Sequence, residues 1–290
     1  MKYWIRGILA FVVLFAFAMP MSAMAKTQPG DVLVTLGKGL SDAQEESVLD
    51  EMDVNREDVE IIYVNIDEER EYLGDYISDE KIGNQTISST KITMLEEGKG
   101  LDVKTHNITY VTEGMYANAL LTAGIQDAEI FVTAPFPVSG TGGLTGILKA
   151  YDQKTDVKIS DEQKKVANEE LVRTAQLGED IGKEKATQLV TRIKQEMAEN
   201  PVETKEDLQQ LIQKVAKDLD VNLTDEQMSK LVTLFNHIKN LDIDWGQLKN
   251  QLQKVSQQLD EFLSDEDTQS FFSKVLNAIG SLIDTIKSWF

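Results

Sequence analysis

Two periodicities divide the chain. Before Leu144, short β-branched runs are interleaved with helical stretches; after it, apolar residues recur almost purely at three- and four-residue steps. Asp31 to Leu36 (DVLVTL) alternates and is rich in valine, which predicts a strand. Ser41 and Gln44 have capping-box spacing, so a helix follows to Met52. Glu60 to Val64 is a second strand. Glu68 to Leu73 is helical, with its acids and Arg70 assigned to a wet face. Thr86 to Leu95 and Leu101 to Val111 are β-branched runs around a short loop containing Gly98 and Gly100, the pattern of a β-hairpin. Thr112 opens a helix that Gly124 ends, and Ala128 to Thr133 is a further strand. The order β-α-β-(α)-β-β-α-β predicts an α/β or α+β domain with a mixed sheet.

Helix starts in the second half share one signature, a capping residue with an acid or amide three positions on. Ser160/Gln163, Thr204/Asp207, Thr224/Gln227, Asp244/Gln247 and Ser264/Asp267 all fit it. Leu189, Val190, Ile193 and Met197 form one apolar stripe between caps; Leu208, Leu211, Ile212, Val215 and Leu219 form another. About six helices are expected. Ile130 to Tyr151 joins the halves: a strand, a proline-stiffened exit, a glycine-rich turn and a helix start. The expected organisation is a signal peptide (1–25), an α/β domain (26–143) and an all-α helical domain (144–290) ending in an amphipathic helix (265–290).

The leader rests on Lys2 and Arg6, the apolar run from Gly7 to Met19, and Ala23-Met-Ala25 as an Ala-x-Ala cleavage signal. The run is shorter than the ~20 residues of a membrane span, and Pro20 interrupts it. Secretion, with retention at the cell envelope, is the expected localisation. The chain carries 49 acids against 29 bases, a formal charge of −20. That balance repels nucleic acid at long range. With no cysteine, there is no disulfide, no thiol nucleophile and no thiol-linked lipid anchor. At 290 residues and 41% hydrophobic composition, a packed core suffices without such staples.

Candidate chemistry is sparse. Ser139, Gly140, Thr141, Gly142 and Gly143 lie between a strand and a helix, where converging N–H groups and a helix N-terminus favour anions. The Gly-Lys-Ser/Thr ending of a phosphate loop is missing. A hinge, or a close helix–sheet contact, is the other reading. His106 and His237 are isolated and are read as surface or capping residues, so no metal site, cofactor or catalytic set is expected. The last helix has an apolar face: Phe271, Phe272, Val275, Leu276, Ile279, Leu282, Ile283, Ile286, Trp289 and Phe290. It either packs on the preceding helices or meets a membrane surface or partner.

Several runs resemble one family. They are GDVLVTLG from Gly30, REYLGDYIS from Arg70, the run from Thr105 to Ile125, the run from Ala128 to Tyr151, and DIDWGQL from Asp242. Across the chain after the leader they resemble the YpuA-like exported proteins of Gram-positive bacteria, a domain of unknown function. The resemblance implies an extracytoplasmic, envelope-facing protein and carries over no site residues. The leading expectation is a non-enzymatic envelope protein that binds an envelope protein or wall polymer, or a membrane surface through the last helix. The alternative is a carboxylate-dependent hydrolase acting on wall material, which needs two close acids in a cleft.

Overall fold

A computed structural model of the chain describes residues 27–264. The expected leader (1–25) and the apolar face from Phe271 to Phe290 lie outside the described residues.

A mixed sheet of five strands occupies the first half, and helices follow it. The strands are β1 (Val32–Gly37), β2 (Ile61–Val64), β3 (Ser89–Met94), β4 (Leu101–Ile108) and β5 (Ala128–Val138), in the spatial order β2-β1-β3-β5-β4. β1 pairs parallel with β2 and β4 parallel with β5, while the central β3 is antiparallel to both β1 and β5. Four strands therefore point one way and deliver their carboxyl ends to one edge.

The helices of this half are α1 (Asp42–Glu51), α2 (Ile66–Leu73), the short α3 (Asp79–Ile82), α4 (Glu113–Thr122) and the start of α5 (Thr141–Lys154). Both parallel pairs are joined through a helix, α1 between β1 and β2 and α4 between β4 and β5, as parallel pairing requires.

The structure corrects the expected hairpin. β3 and β4 are consecutive, but β5 lies between them. The intervening loop does hold Gly98 and Gly100 at positive φ (82° and 92°), which is turn chemistry without hairpin pairing. β5 is also longer than expected. It continues through Pro135 and Pro137 because β3 begins at Ser89, opposite Thr133, so neither missing N–H interrupts a β3 ladder. Opposite β4 the register jumps from His106↔Thr133 to Ile108↔Val138, so this stretch of β5 bows out against Asn107 at φ 58°.

The pleat sorts the sheet into two faces. Leu33, Ile92 and Ile130 share one face with Thr35, Thr90 and Val132; Val34, Lys91 and Phe131 share the other. α1 covers the second through Val48, Leu49 and Met52 against Val34 and Leu36. The first face carries the larger core, with Met115 and Leu120 of α4 and Leu144 and Ile147 of α5. Residues 143 and 144 thus fall within α5, a helix packed on the sheet.

Five helices follow: α6 (Asp161–Ile181), α7 (Lys183–Glu199), α8 (Lys205–Asp218), α9 (Asp225–Asn240) and α10 (Trp245–Ser264). The starts of α6, α8, α9 and α10 follow the sequence signature, while α7 starts from Gly182 with no side-chain cap. Ser160 and Gln163 exchange reciprocal bonds at 2.9 and 3.1 Å, and Thr224 and Gln227 do so at 2.8 and 3.2 Å. Asp244 Oδ1 accepts from the Gly246 and Gln247 amides, both at 3.0 Å. Leu189, Ile193, Leu208, Ile212 and Phe235 meet in a second core. α6 serves both cores: Leu171 and Ala175 face the sheet side, Val166 and Leu177 the helical side. α10 returns Leu248, Leu252 and Val255 to the first. None of the described helices is long and apolar enough to cross a membrane.

Candidate functional site

In open α/β sheets, ligands bind in the crevice beyond the carboxyl ends of the strands. At that edge here, β5 runs through Ser139 into α5, and β2 runs through Asn65 into α2. The glycine-rich segment is the first turn of α5 itself. Gly140 is its N-cap at φ 94°, a left-handed conformation that favours glycine. Gly142 and Gly143 are buried in the helix. A Cβ on Gly143 would lie 2.7 Å from the Tyr116 hydroxyl and 2.8 Å from Val132 Cγ1. One on Gly142 would lie 2.9 Å from Glu69 Oε2. These glycines let α5 sit close against the sheet and α2.

The group facing that helix start is the chain's own. Glu69 is 3% exposed; its Oε1 accepts from Thr141 Oγ1 at 2.6 Å and its Oε2 from Thr86 Oγ1 at 2.9 Å. Thr141 is the first residue of α5, so an internal carboxyl takes the place that an external anion would occupy. Burial raises the Glu69 pKa, opposed by the two threonine hydroxyls and by the Arg70 charge. Tyr116, fully buried, donates its hydroxyl to the Gly140 carbonyl and locks the cap from the other side. Ser139 Oγ lies 3.1 Å from Thr141 Oγ1. All five residues from Ser139 to Gly143 are thus gathered at this edge.

Sequence reading placed the acids of α2 on a wet face, and for Glu69 the structure corrects that. Ile66, Glu69 and Leu73 stand at i, i+3 and i+7, the spacing of one helix face. An acid on the apolar stripe was the signal for a buried carboxyl. The Asn65/Glu68 capping box, at 3.0 Å both ways, fixes where α2 begins and hence which face turns inward.

Beside Glu69 opens a pocket of about 210 Å³. Its polar lining is Glu69, Lys81, Gln85, Ser88 and Ser139; its apolar walls are Ile82, Ile87 and Val138. Glu69 is the one acid among them. The Lys81 ammonium is held by Glu179 at 2.8 and 3.0 Å and lies 5.4 Å from the Tyr110 ring centre. Ser88 is 5% exposed, and its hydroxyl makes no hydrogen bond within the described residues.

The other candidates lead elsewhere. His106 is exposed and pairs with Glu51; His237 lies on the α9 surface with Nδ1 2.7 Å from Glu169. Among the described residues, no three acids or imidazoles gather as a metal site would need. A larger cavity, about 570 Å³, lies at the opposite edge near the starts of β1 and β2. Its two lysines are already engaged: Lys91 with the Met52 carbonyl at 2.7 Å and Lys154 with Glu60 at 2.6 Å. A buried network joins α4, α6 and α7. Lys194, at 0% exposure, donates to Glu170 at 2.9 Å, the Thr122 hydroxyl at 2.7 Å and the Asn118 carbonyl at 2.8 Å. It has no opening to solvent and is a structural element.

A family model described as "Protein of unknown function (DUF1002)" matches residues 36–255. The chain is 46% identical over 290 residues to "Uncharacterized protein YpuA" of Bacillus subtilis (strain 168), covering 100% of this chain and 99% of that one. No solved structure matches it.

Proposed function

The chain belongs to the DUF1002 family of proteins of unknown function, and from its geometry we propose that it is an exported, non-enzymatic cell-envelope protein that binds another envelope component at the pocket beside Glu69. The observation that carries this reading is the lining of that pocket. Aliphatic walls and several converging hydrogen-bonding groups sit at the carboxyl edge of four co-directional strands. Acid–base hydrolysis of a glycosidic bond calls on two carboxyls, one of them free to take or give a proton. Here one acid lines the pocket, and both its oxygens are held by threonines. Export rests on the basic, apolar and Ala-x-Ala pattern of the first 25 residues.

Co-sedimentation with isolated cell envelopes tests the reading. The purified chain is expected to sediment with them. Ser139→Trp places an indole in the pocket mouth from a half-buried position, and it is expected to reduce the bound fraction about tenfold, ~1.4 kcal/mol. Circular dichroism identical to the parent would show that the fold survives. No sedimentation of the parent chain, or equal sedimentation of both forms, would refute the proposal.

A further inference from the structure

The charges around the pocket narrow what it can hold. A free cation would be drawn by the net −20 of the chain, but it would meet the Lys81 ammonium and a Glu69 carboxyl already bonded by two threonines. A free anion would meet Glu69, and the Lys81 charge is taken up by Glu179 at 2.8 Å. One positive and one negative group, each already satisfied, leave a site without net charge to offer. What remains open to a ligand is neutral: the Ser88 hydroxyl, which makes no hydrogen bond among the described residues, with the exposed Gln85 amide at the rim.

We infer that the pocket is a subsite for one neutral sugar ring, with Ser88, Ser139 and Gln85 bonding its hydroxyl or N-acyl groups and Ile82, Ile87 and Val138 covering its C–H face. Hydroxyls both donate and accept, as ring hydroxyls do, so Ser88 and Ser139 can each bond a neighbouring pair on a sugar. The volume of about 210 Å³ equals about seven waters at ~30 Å³ each, room for one ring and not for an extended peptide. The inference rests on the envelope-binding reading and names the chemistry recognised at that site.

Titrating the purified chain with N-acetylglucosamine, followed by amide chemical shifts, tests it. Saturable shifts are expected at Ser88 and Ser139. Ser88→Ala is expected to weaken binding about tenfold, and Gln85→Ala, altered only at the exposed rim, by several-fold, both with unchanged urea midpoints. Inorganic phosphate and methylammonium, the charged probes, are expected to give no saturable shift there. The inference is overturned if the sugar does not saturate, if a charged probe binds in its place, or if neither variant weakens binding. Should the chain sediment with envelopes while the sugar fails, the subsite is wrong and the envelope reading stands. Failure to sediment removes that reading independently.

Discussion

Lys194→Met is expected to destabilise the fold by about 3–5 kcal/mol, because it strands the Glu170 carboxylate in a dry interior. Lys194 is fully buried, and desolvation lowers its pKa while Glu170 opposes that shift. Its ammonium has three kinds of acceptor: Glu170 at 2.9 and 3.2 Å, the Thr122 hydroxyl at 2.7 Å and the Asn118 carbonyl at 2.8 Å. Removing it leaves Glu170 with the Thr122 hydroxyl. Domains of this kind are stable by about 5–15 kcal/mol, so the loss is a large fraction of the whole. Urea unfolding at neutral pH checks the magnitude. The double variant Lys194→Met with Glu170→Leu is expected to recover most of the loss, because an apolar pair asks for no desolvation. A single-variant loss below about 1 kcal/mol would mean that water reaches the network.

Gly143→Ala is expected to cost about 2–3 kcal/mol through overpacking. The new methyl carbon would stand 2.7 Å from the Tyr116 hydroxyl and 2.8 Å from Val132 Cγ1, and both side chains are fully buried. Tyr116 cannot withdraw without losing its bond to the Gly140 carbonyl. Gly246→Ala is the control. Its Cβ would stand 3.3 Å from Asp244 Oδ1, the cap acceptor on the exposed start of α10, which can give by a few tenths of an ångström, so a change within ~1 kcal/mol either way is expected. A lower urea midpoint for Gly143→Ala alone supports close packing as the reason for glycine there. Equal midpoints would restore the hinge reading.

Local chemistry carried the parts of the fold that local chemistry determines. The caps at Ser160, Thr204 and Thr224 stand where their spacing placed them, because a cap is settled within four residues. Strand pairing is settled by the whole sheet. The segment around Gly98 and Gly100 reads as a hairpin turn, yet β5, arriving through α4, takes the place between β3 and β4. The site was half legible. Ser139 to Gly143 stood out by composition, and their position at a strand-to-helix junction was readable. The residue that occupies the helix start, Glu69, comes from 72 positions earlier in the chain, and only tertiary structure brings it there. Its signal was an acid at helical spacing with Ile66 and Leu73. Lys194 carried the same signal between Val190 and Met197, and in both places the buried charge marks a contact between helices.

Glu69 lies against the start of α5, bonded to the Thr141 hydroxyl, and presents a carboxyl to the pocket. Burial raises its pKa in the folded chain. The native state therefore holds this proton more tightly than the unfolded chain does. The resulting stabilisation is complete below the unfolded value of about 4.3 and fades as pH rises through the folded value. Glu69→Gln keeps the neutral shape, so its stability relative to the parent is expected to improve as pH rises through that range. The most direct measurement is a ¹³C titration of the Glu69 carboxyl, assigned by its loss in Glu69→Gln. A midpoint above the ordinary glutamate value of about 4.3 is expected. A midpoint at or below it would mean a solvated or anion-stabilised carboxylate, and would contradict the buried, self-occupied site described above.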